Sequence, residues 1–182
     1  MASMSDSAPS SNKRPKVELA ILSASVLQAL VAGSIDRAGV LFGRQLPPSF
    51  LDHHGLWEYR LAQVEVDPTV INWLVRAVID PETGDIVGHA GFHGPPDNAG
   101  MVEIGYTIEP EFRRRGYARA TVAALIDYAA SDPDVTTIRA SVSPDNAASL
   151  ATIRPFGFTH VGEQMDEIDG LELIFEVAIT RS

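Results

Sequence analysis

Residues 103–129 read EIGYTIEPEFRRRGYARATVAALIDYA, a stretch that predicts a strand, an arginine-rich turn and an amphipathic helix. The turn runs from Arg113 to Ala118. Its glycine, Gly116, lets the backbone approach a ligand closely, and the first turn of the following helix has unpaired N–H groups at the positive end of the helix dipole. Such a place suits a pyrophosphate group. Taken alone, the turn is equally consistent with a solvated patch of three arginines beside an ordinary turn glycine.

The helix after the turn has one apolar face. Its apolar residues recur at helical spacing, and they are Ala118, Val122, Leu125, Ile126 and Ala129. This stripe would pack on a sheet and fix the helix, while the arginines at its N-terminus face outward.

The composition limits the classes of protein to consider. The chain has 182 residues, of which 45% are hydrophobic and 21% charged, and this ordinary globular balance suits one well-cored domain. The net charge of −10 disfavours a nucleic-acid partner, because most of the surface would repel phosphates, whereas amines fit such a surface better. The absence of cysteine excludes disulfides, thiolate metal sites and a cysteine nucleophile. We see no membrane span and no signal peptide, so we expect a cytoplasmic protein with no membrane partner.

The N-terminal residues differ in composition from the rest. Residues 1–16 are rich in serine and proline and poor in large apolar groups, so we predict a disordered tail there and a folded domain over residues 17–182. The tail contains Lys13-Arg14-Pro15-Lys16, which resembles a minimal nuclear-import signal. A solubilising tail accounts for this short basic run more simply.

Short strands and helices alternate after the tail, which predicts an α/β (α+β) fold with a central mixed, mostly antiparallel sheet and helices on both faces. Ser23 is a plausible N-cap for the first helix. The last strand could pair across a homodimer. The predicted strands are 17–22, 73–79, 85–93, 101–108, 137–142, 159–164 and 171–179, the last two around a turn at Asp169-Gly170, and the predicted helices are 23–32, 34–41, 50–66, the one after Gly116, and one from residue 144.

A second segment repeats the order of a strand followed by a helix N-terminus. Ser143 would cap a helix that has Pro144 at its first position. Asn146 and Ser149 are three residues apart and therefore share one helical face. The chain then passes through Gly157-Phe158 into another strand.

The two segments together resemble the two signature regions of the GNAT N-acetyltransferases. The arginine turn fits that family's Gln/Arg-x-x-Gly-x-Gly/Ala phosphate turn, and Asn146-x-x-Ser149 followed by Gly157-Phe158 is similar to its second region. The resemblance extends over residues 17–180. Glu103-Ile104-Gly105-Tyr106 makes the chain most similar to the branch that acetylates ribosomal-protein N-termini, which also includes transferases for other amines.

The resemblance implies a site for acetyl-CoA and no metal. In the family the sheet splays between two parallel strands, here the strand that ends near Ile108 and the strand 137–142. A bulge near Tyr106–Ile108 would free backbone N–H groups for the pantetheine and for the oxyanion of the thioester carbonyl. N–H groups from Arg115 to Ala118 would hold the pyrophosphate, with an arginine adding charge-assisted bonds. The cofactor-binding residues implied are Tyr106, Ile108, Arg113, Arg114, Arg115, Gly116, Tyr117, Ala118, Asn146 for the pantetheine arm, and Ser149.

The reaction also needs a base, because an amine of lysine type, with a pKa of roughly 10.4, is protonated at neutral pH. Glu103 is the candidate, directly or through water. If residues 94–100 form a hairpin loop, His93 pairs with Met101, Gly91 faces Glu103, and His89, His93 and Glu103 share one face of the sheet. These three groups could relay a proton, line a partly exposed sheet face or bind zinc, although the family needs no metal.

One position departs from the family pattern. Many members have a tyrosine four residues before the Gly-Phe pair, as acid for the departing thiolate, and this chain has Ile153 there. Pro155 would also end the helix early. Because a thiol has a pKa of roughly 8.5, the thiolate could leave with partial help from Ser149 or water. Glu103 and Ser149 are therefore the catalytic candidates, and the branch similar to this chain often lacks the tyrosine.

The function implied is that of an acetyl-CoA-dependent N-acetyltransferase, which moves an acetyl group to a primary amine by direct attack on the thioester. The acceptor could be a protein N-terminus or a small molecule. A non-catalytic acyl-CoA-binding or regulatory module is the alternative, since it would keep the phosphate turn but need no base.

Overall fold

The computed structural model of the protein describes residues 15–166 and 170–180, which form a sheet with helices packed on it. The strands are β1 (Glu18–Ile21), β2 (Arg76–Ile79), β3 (Ile86–Phe92), β4 (Met101–Ile108), β5 (Thr137–Val142), β6 (Thr159–Asp166) and β7 (Gly170–Ala178). The α-helices are α1 (Ala24–Val31), α2 (Ile35–Phe42), α3 (His54–Val66), α4 (Tyr117–Ala130) and α5 (Ala147–Ile153). Short 3₁₀ helices lie at Pro48–His53, Pro68–Asn72, Pro110–Phe112 and Arg154–Phe156.

All seven strands belong to one sheet, in the order β1-β2-β3-β4-β5-β7-β6. Neighbouring strands are antiparallel except β4 and β5, which run parallel. Their pairing extends only from Met101–Thr137 to Glu103–Arg139, after which the two strands part. This mixed, mostly antiparallel sheet, opened between two parallel strands, confirms the predicted fold class.

The two faces of the sheet carry separate apolar cores. On one face, which we call the α1–α3 face, α1 and α3 pack on β2 and the start of β3, around residues such as Leu27, Trp57 and Ala77. On the other, the α4–α5 face, α4 and α5 pack across β3–β5, around residues such as Val122 and Ile138. Along β4, side chains alternate between the two faces because successive residues of a strand point to opposite sides.

Helix α4 buries the apolar stripe that its sequence predicts. Val122, Leu125 and Ala129 are fully buried, and Ala118 and Ile126 are partly buried beside them. The helix is therefore fixed on the sheet along its length, which leaves the position of its N-terminus well defined.

The predicted helix over residues 50–66 is in fact two helices. A 3₁₀ helix, Pro48–His53, leads directly into α3, which begins at His54. Pro48 occupies the first turn of the 3₁₀ helix, where the missing N–H of proline has no partner to lose. The indole N–H of Trp57 donates to the carbonyl of Phe50 and ties the two helices together.

The N-cap residue predicted for α1 is confirmed, whereas the one predicted for α5 is wrong. The Ser23 side chain accepts a hydrogen bond from the N–H of Val26 at 3.4 Å, as predicted for the N-cap of α1. Ser143 is not the N-cap of α5; Asn146 takes that position, because its side chain accepts the N–H of Ser149 at 3.0 Å. Helix α5 ends at Ile153, directly before the segment that contains Pro155, as expected.

The predicted register of β3 and β4 is wrong by two residues. Gly91 pairs with Gly105, and the N–H of His93 donates to the carbonyl of Glu103 at 2.9 Å. Met101 does not pair with His93 because its N–H donates instead to the Asp97 carboxylate at 2.9 Å. A shift of two residues preserves the face of every side chain, so His93 and Glu103 still share the α1–α3 face.

Two further predictions about strands are wrong. The pairing of β3 with β4 is continuous from Phe92–Ile104 to Gly88–Ile108, so β4 has no bulge near Tyr106–Ile108. Strand β7 lies between β5 and β6, so the last strand has no free edge with which to pair across a dimer.

Some predictions fall on residues that the structure does not describe. They concern residues 1–14 of the predicted tail and Asp169 of the turn before β7. Within the described ranges, no helix is both long and apolar enough to cross a membrane.

Candidate active site

The arginine-rich turn places three backbone N–H groups at the start of α4. The first α-helical bond is donated by Ala120 to the carbonyl of Gly116 at 3.1 Å, so the N–H groups of Tyr117, Ala118 and Arg119 have no partner within the helix. Gly116 has a φ of 91° and Arg114 a φ of 60°, and Arg114 alone among the described non-glycine residues has a positive φ. Such backbone strain is common where a loop is shaped around a ligand.

The arginines around this turn carry positive charge that no described carboxylate neutralises. Within residues 15–166 and 170–180, no carboxylate forms an ion pair with Arg113, Arg114, Arg115 or Arg119. The Nε of Arg113 donates to the carbonyl of Ile108 at 2.9 Å. In a chain of net charge −10, this local excess of guanidinium groups favours an anionic ligand.

Two adjoining clefts lead from the turn to the gap between β4 and β5. The first, of about 450 Å³, is lined by Ile108, Phe112, Arg113, Arg114, Gly116, Ala118, Arg119, Ala148 and Thr152. The second, of about 350 Å³, is lined by Tyr106, Thr107, Ile108, Arg113, Ala118, Asn146, Ala148, Ser149 and Thr152. We call them together the cofactor cleft. A larger depression of about 580 Å³ lies beside α2 and contains no residue of either motif.

The cofactor cleft brings together most of the residues predicted from the two motifs. Those that line it are Tyr106, Ile108, Arg113, Arg114, Gly116, Ala118, Asn146 and Ser149. The lining residues that the sequence did not predict are Thr107, Phe112, Arg119, Ala148 and Thr152. Helical spacing gives a signal for two of them, because Thr152 follows Ser149 by one turn of α5 and Arg119 belongs to the first turn of α4.

Three predicted site residues do not line the cofactor cleft. The Arg115 guanidinium lies over the Phe112 ring, 5.6 Å from its centroid. The Tyr117 side chain is buried, and its hydroxyl donates to Asp80. That bond raises the pKa of Tyr117 to about 12, so the hydroxyl stays protonated and ties the turn to the end of β2. Glu103, the third, lies on the α1–α3 face.

The edge of β4 that faces the gap has free backbone donors without a bulge. The backbone groups of Glu103 and Glu109 face β3, since the carbonyl of the first and the N–H of the second bond to β3 at 2.9 Å. Alternation therefore turns the N–H groups of Tyr106 and Ile108 the other way, toward the gap. The divergence of β5 leaves these N–H groups without strand partners.

Helix α5 covers the gap with polar side chains. The carbonyl oxygen of Asn146 is used as the helix cap, which leaves its amide NH₂ group to face the cleft. The Thr152 hydroxyl donates to the carbonyl of Ala148 at 2.8 Å. The Tyr106 hydroxyl is buried beside Ser149 and Thr152, and it has no hydrogen-bond partner of normal geometry among the described residues.

A carboxylate–imidazole pair lies on the α1–α3 face, at the point where the sheet opens. Nδ1 of His93 is 3.8 Å from Oε1 of Glu103, and the same oxygen accepts the hydroxyl of Ser141 at 2.6 Å. Gln164 donates to the oxygen of Ser141 at 3.3 Å, which leaves the serine proton directed at Glu103. The His93 side chain is 51% exposed and that of Glu103 17%, so a proton taken up here can pass to solvent.

Helix α3 fixes the position of His93. Arg60 and Gln63 both donate to its carbonyl, at 3.0 and 2.9 Å. Burial lowers the pKa of His93, more than the nearby Glu103 raises it, so the imidazole is neutral at neutral pH. Its ring lies over Gly105, beside a pocket of about 160 Å³ that also contains His89 and Arg60.

His89 shares the face of His93 but not its surroundings. Its ring packs against those of Phe50, His53 and Trp57, with centroids 4.7–5.5 Å away. Burial, with a smaller contribution from His53, lowers the pKa of His89 to about 3. The structure therefore joins two of the three groups of the predicted relay, Glu103 and His93. Among the described residues no cluster of three or more His, Asp or Glu side chains could hold a metal ion.

The fold and a matching family model together define the class of the protein. The chain belongs to the GNAT acetyltransferase family, since the family model described as an acetyltransferase (GNAT) domain matches residues 43–159, more than half of the chain. It is 36% identical over 87 residues to the uncharacterized N-acetyltransferase YjdG of Bacillus subtilis, a match that covers 48% of this chain and 50% of that protein. The chain spans about half the length of this and other curated relatives that it matches.

Solved structures share the whole fold at low identity. The ribosomal-protein-S5-alanine acetyltransferase from Vibrio fischeri superposes with a TM-score of 0.64 at 16% identity, over 92% of this chain and 95% of the other. The microcin C7 self-immunity acetyltransferase MccE, solved in complex with acetyl-CoA and AMP, has a TM-score of 0.62 at 19% identity, over 90% and 93%. At this identity the likeness concerns the fold.

Proposed function

We propose that the protein is an N-acetyltransferase that uses acetyl-CoA to acetylate a primary amine by direct attack on the thioester. One observation carries the proposal. A cationic cleft with free backbone donors lies on the α4–α5 face, and a carboxylate–imidazole pair lies on the opposite face, with only β4 between them. A cofactor that passes through the gap beside β4 would present its acyl group to a base on the far side.

The cofactor cleft matches the chemistry of coenzyme A along its length. The N–H groups of Tyr117, Ala118 and Arg119, with Arg113 and Arg114, suit the pyrophosphate. The amide group of Asn146 suits a carbonyl of the pantetheine arm. The N–H groups of Tyr106 and Ile108 suit the second amide and the thioester carbonyl, where they would stabilise the oxyanion of the tetrahedral intermediate.

The carboxylate–imidazole pair supplies the base. The nitrogen of a neutral amine attacks the carbonyl carbon, and the excess proton of that nitrogen passes to Nε2 of His93. Glu103 accepts the Nδ1 proton of the same ring, holds the tautomer and stabilises the imidazolium ion that forms. The distance of 3.8 Å is an ion-pair distance, and such contacts commonly shorten when a substrate binds. Ser149, on the cofactor side, contacts the departing half of the thioester.

The acceptor amine would enter from the α1–α3 face. The pocket there has a volume of about 160 Å³, so it holds the end of an acceptor rather than a whole large molecule. A protein N-terminus and a small-molecule amine both meet this condition, and an N-terminal amine, with a pKa of roughly 8, needs less help from the base than a lysine side chain.

The test is CoA release from acetyl-CoA, measured with and without a panel of amines and N-terminal peptides, beside calorimetric titration of CoA itself. Amine-dependent release supports the proposal and begins to name the acceptor. Tight binding of CoA with no release for any amine or peptide would favour a non-catalytic acyl-CoA-binding module. Failure to bind CoA at all would contradict the assignment of the cofactor cleft.

A further inference from the structure

The Tyr106 hydroxyl is a buried donor with no acceptor of normal hydrogen-bond geometry among the described residues. The hydroxyl oxygen is inaccessible and lacks a hydrogen-bond partner among the described residues, although the tyrosine lines the cofactor cleft. Buried polar groups are nearly always hydrogen-bonded, so an exception in a cleft points to a missing ligand. The polar groups beside it are the hydroxyls of Ser149 and Thr152.

Of these three hydroxyls, that of Tyr106 is the best placed to donate a hydrogen bond to a ligand. The Thr152 proton is already given to the carbonyl of Ala148 at 2.8 Å. Ser149 is partly exposed at the mouth of the cleft, where water can satisfy it. The Tyr106 hydroxyl is inaccessible to solvent and is carried by a strand, so its position is set by the sheet rather than by a surface helix.

The place of Tyr106 in the sheet indicates which atom of the cofactor it would meet. The residue lies three positions beyond Glu103, the last residue of β4 that pairs with β5, so it stands where the sheet opens. Its backbone N–H faces the gap, while its side chain points to the α4–α5 face, opposite Glu103 and Gly105. Since the cofactor arrives from the α4–α5 face and the amine from the other, the sulfur is the reacting atom that stays on the tyrosine's side of the carbonyl.

The position at which the family resemblance would place a donor for that sulfur holds an apolar residue. Ile153 stands there, and its side chain is 2% exposed in the core under α5. At that position, therefore, no side chain can donate a hydrogen bond to an expelled thiolate.

We infer that the Tyr106 hydroxyl donates a hydrogen bond to the thioester sulfur and to the thiolate that leaves. The inference rests on the proposed acetyl transfer. The amine lone pair forms the new C–N bond, the carbonyl π electrons move to oxygen and return, and the C–S bonding pair goes to sulfur. The amine proton passes to His93. Tyr106 keeps its own proton throughout, and the thiolate takes a proton from water after release.

The experiment compares CoA with desulfo-CoA, in which hydrogen replaces the thiol group, by calorimetric titration of the wild-type protein and Tyr106→Phe at pH 9.5. A thiol with a pKa of roughly 8.5 is then mostly thiolate. Burial raises the pKa of Tyr106 above its ordinary value, so the phenol keeps its proton. We expect wild type to bind CoA roughly tenfold more tightly than desulfo-CoA, as a charge-assisted bond requires, and Tyr106→Phe to bind the two about equally.

Two further readouts separate this role from a structural one. Tyr106→Phe should keep the unfolding temperature of the wild type, because the hydroxyl has no hydrogen bond of normal geometry to lose among the described residues. In the same variant kcat should fall with little change in KM for acetyl-CoA. The matched control is Tyr128→Phe, whose hydroxyl donates to the carbonyl of Asn72 at 2.8 Å and lies outside the cleft. It should leave the ratio of the two affinities unchanged.

Each other outcome overturns the inference. If Tyr106→Phe keeps the wild-type preference for CoA, another group holds the sulfur. If it weakens both ligands equally, the hydroxyl supports the cleft and does not contact sulfur. If wild type binds neither ligand, the proposed function fails first and the inference fails with it.

Discussion

Oε1 of Glu103 on β4 contacts side chains of both flanking strands. It lies 3.8 Å from Nδ1 of His93, next to the end of β3, and accepts the Ser141 hydroxyl of β5 at 2.6 Å. Ser141 comes two residues after Arg139, the last residue of β5 that pairs with β4. The serine–glutamate bond therefore crosses the gap that the backbone leaves open. It holds the carboxylate at the opening on the face opposite the cofactor cleft.

The first prediction concerns the carboxylate itself. Glu103→Gln keeps the shape of the side chain and an oxygen for Ser141, but it removes the charge that stabilises an imidazolium at His93. We expect kcat to fall about 10²- to 10³-fold, the usual range for loss of acid–base catalysis, with CoA affinity unchanged. Steady-state kinetics with the acceptor that the amine panel identifies, beside calorimetry with CoA, measures both quantities.

The control for this variant is Glu65→Gln, an exposed glutamate of α3 far along the chain from the motifs. It should behave as wild type in both assays. Full activity of Glu103→Gln would mean that the amine needs no base from this pair, and a loss of CoA binding would mean that Glu103 supports the cleft.

The second prediction uses the glycine under the His93 ring. A Cβ atom at Gly105 would lie 3.2 Å from Nε2 of His93, so Gly105→Ala forces the ring to move by a few tenths of an ångström. Misplacing a base by this much lowers kcat/KM by roughly tenfold, while the cofactor cleft on the other face is untouched. The matched variant is Gly162→Ala in β6, where a methyl group meets open space. Equal activity of the two variants would remove His93 from the proposed mechanism.

Local patterns in the sequence were sufficient for the elements and for most of the cofactor cleft. The stripe of α4 and the Ser23 cap depend on neighbours a few positions away, and each predicted its element closely. The arginine-rich turn and the Asn146–Ser149 segment are local as well. Both could therefore be recognised before the strands were arranged in space.

Features set by contacts between distant segments could not be predicted in this way. In the register of β3 and β4, Met101 does not pair with His93 because its N–H donates instead to the Asp97 carboxylate at 2.9 Å. The bond between Ser141 and Glu103 requires the parallel register of two strands that are 38 positions apart at these residues. The position of β7 between β5 and β6 cannot be predicted from the residues of β7 alone, because they do not specify which strands it pairs with.

The third prediction concerns the arginine-rich turn, whose arginines form no ion pair with a described carboxylate. Replacing both Arg113 and Arg114 by alanine should raise the Kd for CoA by roughly 10- to 100-fold, because each substitution removes a charge-assisted hydrogen bond to phosphate. The dependence of the Kd on salt should weaken at the same time. Calorimetry at low and moderate ionic strength gives both values. Arg37→Ala, an exposed arginine of α2, removes the same type of charge elsewhere and should change neither.

The last prediction links His89 to the stability of the fold at acidic pH. Burial lowers the pKa of His89 to about 3 in the folded protein, against roughly 6.5 in the unfolded chain. Between these pH values the unfolded chain binds more protons at His89 than the folded protein does. The contribution of His89 to the free energy of unfolding is therefore fully present above pH 6.5 and is lost as the pH falls toward 3. From pH 7 to pH 5 this group alone should lower the free energy of unfolding by about 2 kcal/mol.

Urea unfolding at pH 7 and pH 5 measures that difference in the free energy of unfolding. The informative variant is His89→Phe, which keeps a ring among Phe50, His53 and Trp57 but cannot take up a proton. Its loss of stability between the two pH values should be smaller than that of wild type by about 2 kcal/mol, whatever its stability at pH 7. His160→Phe, at an exposed position of β6, should lose as much as wild type. An equal loss in all three proteins would show that His89 is reached by water and is not held neutral by burial.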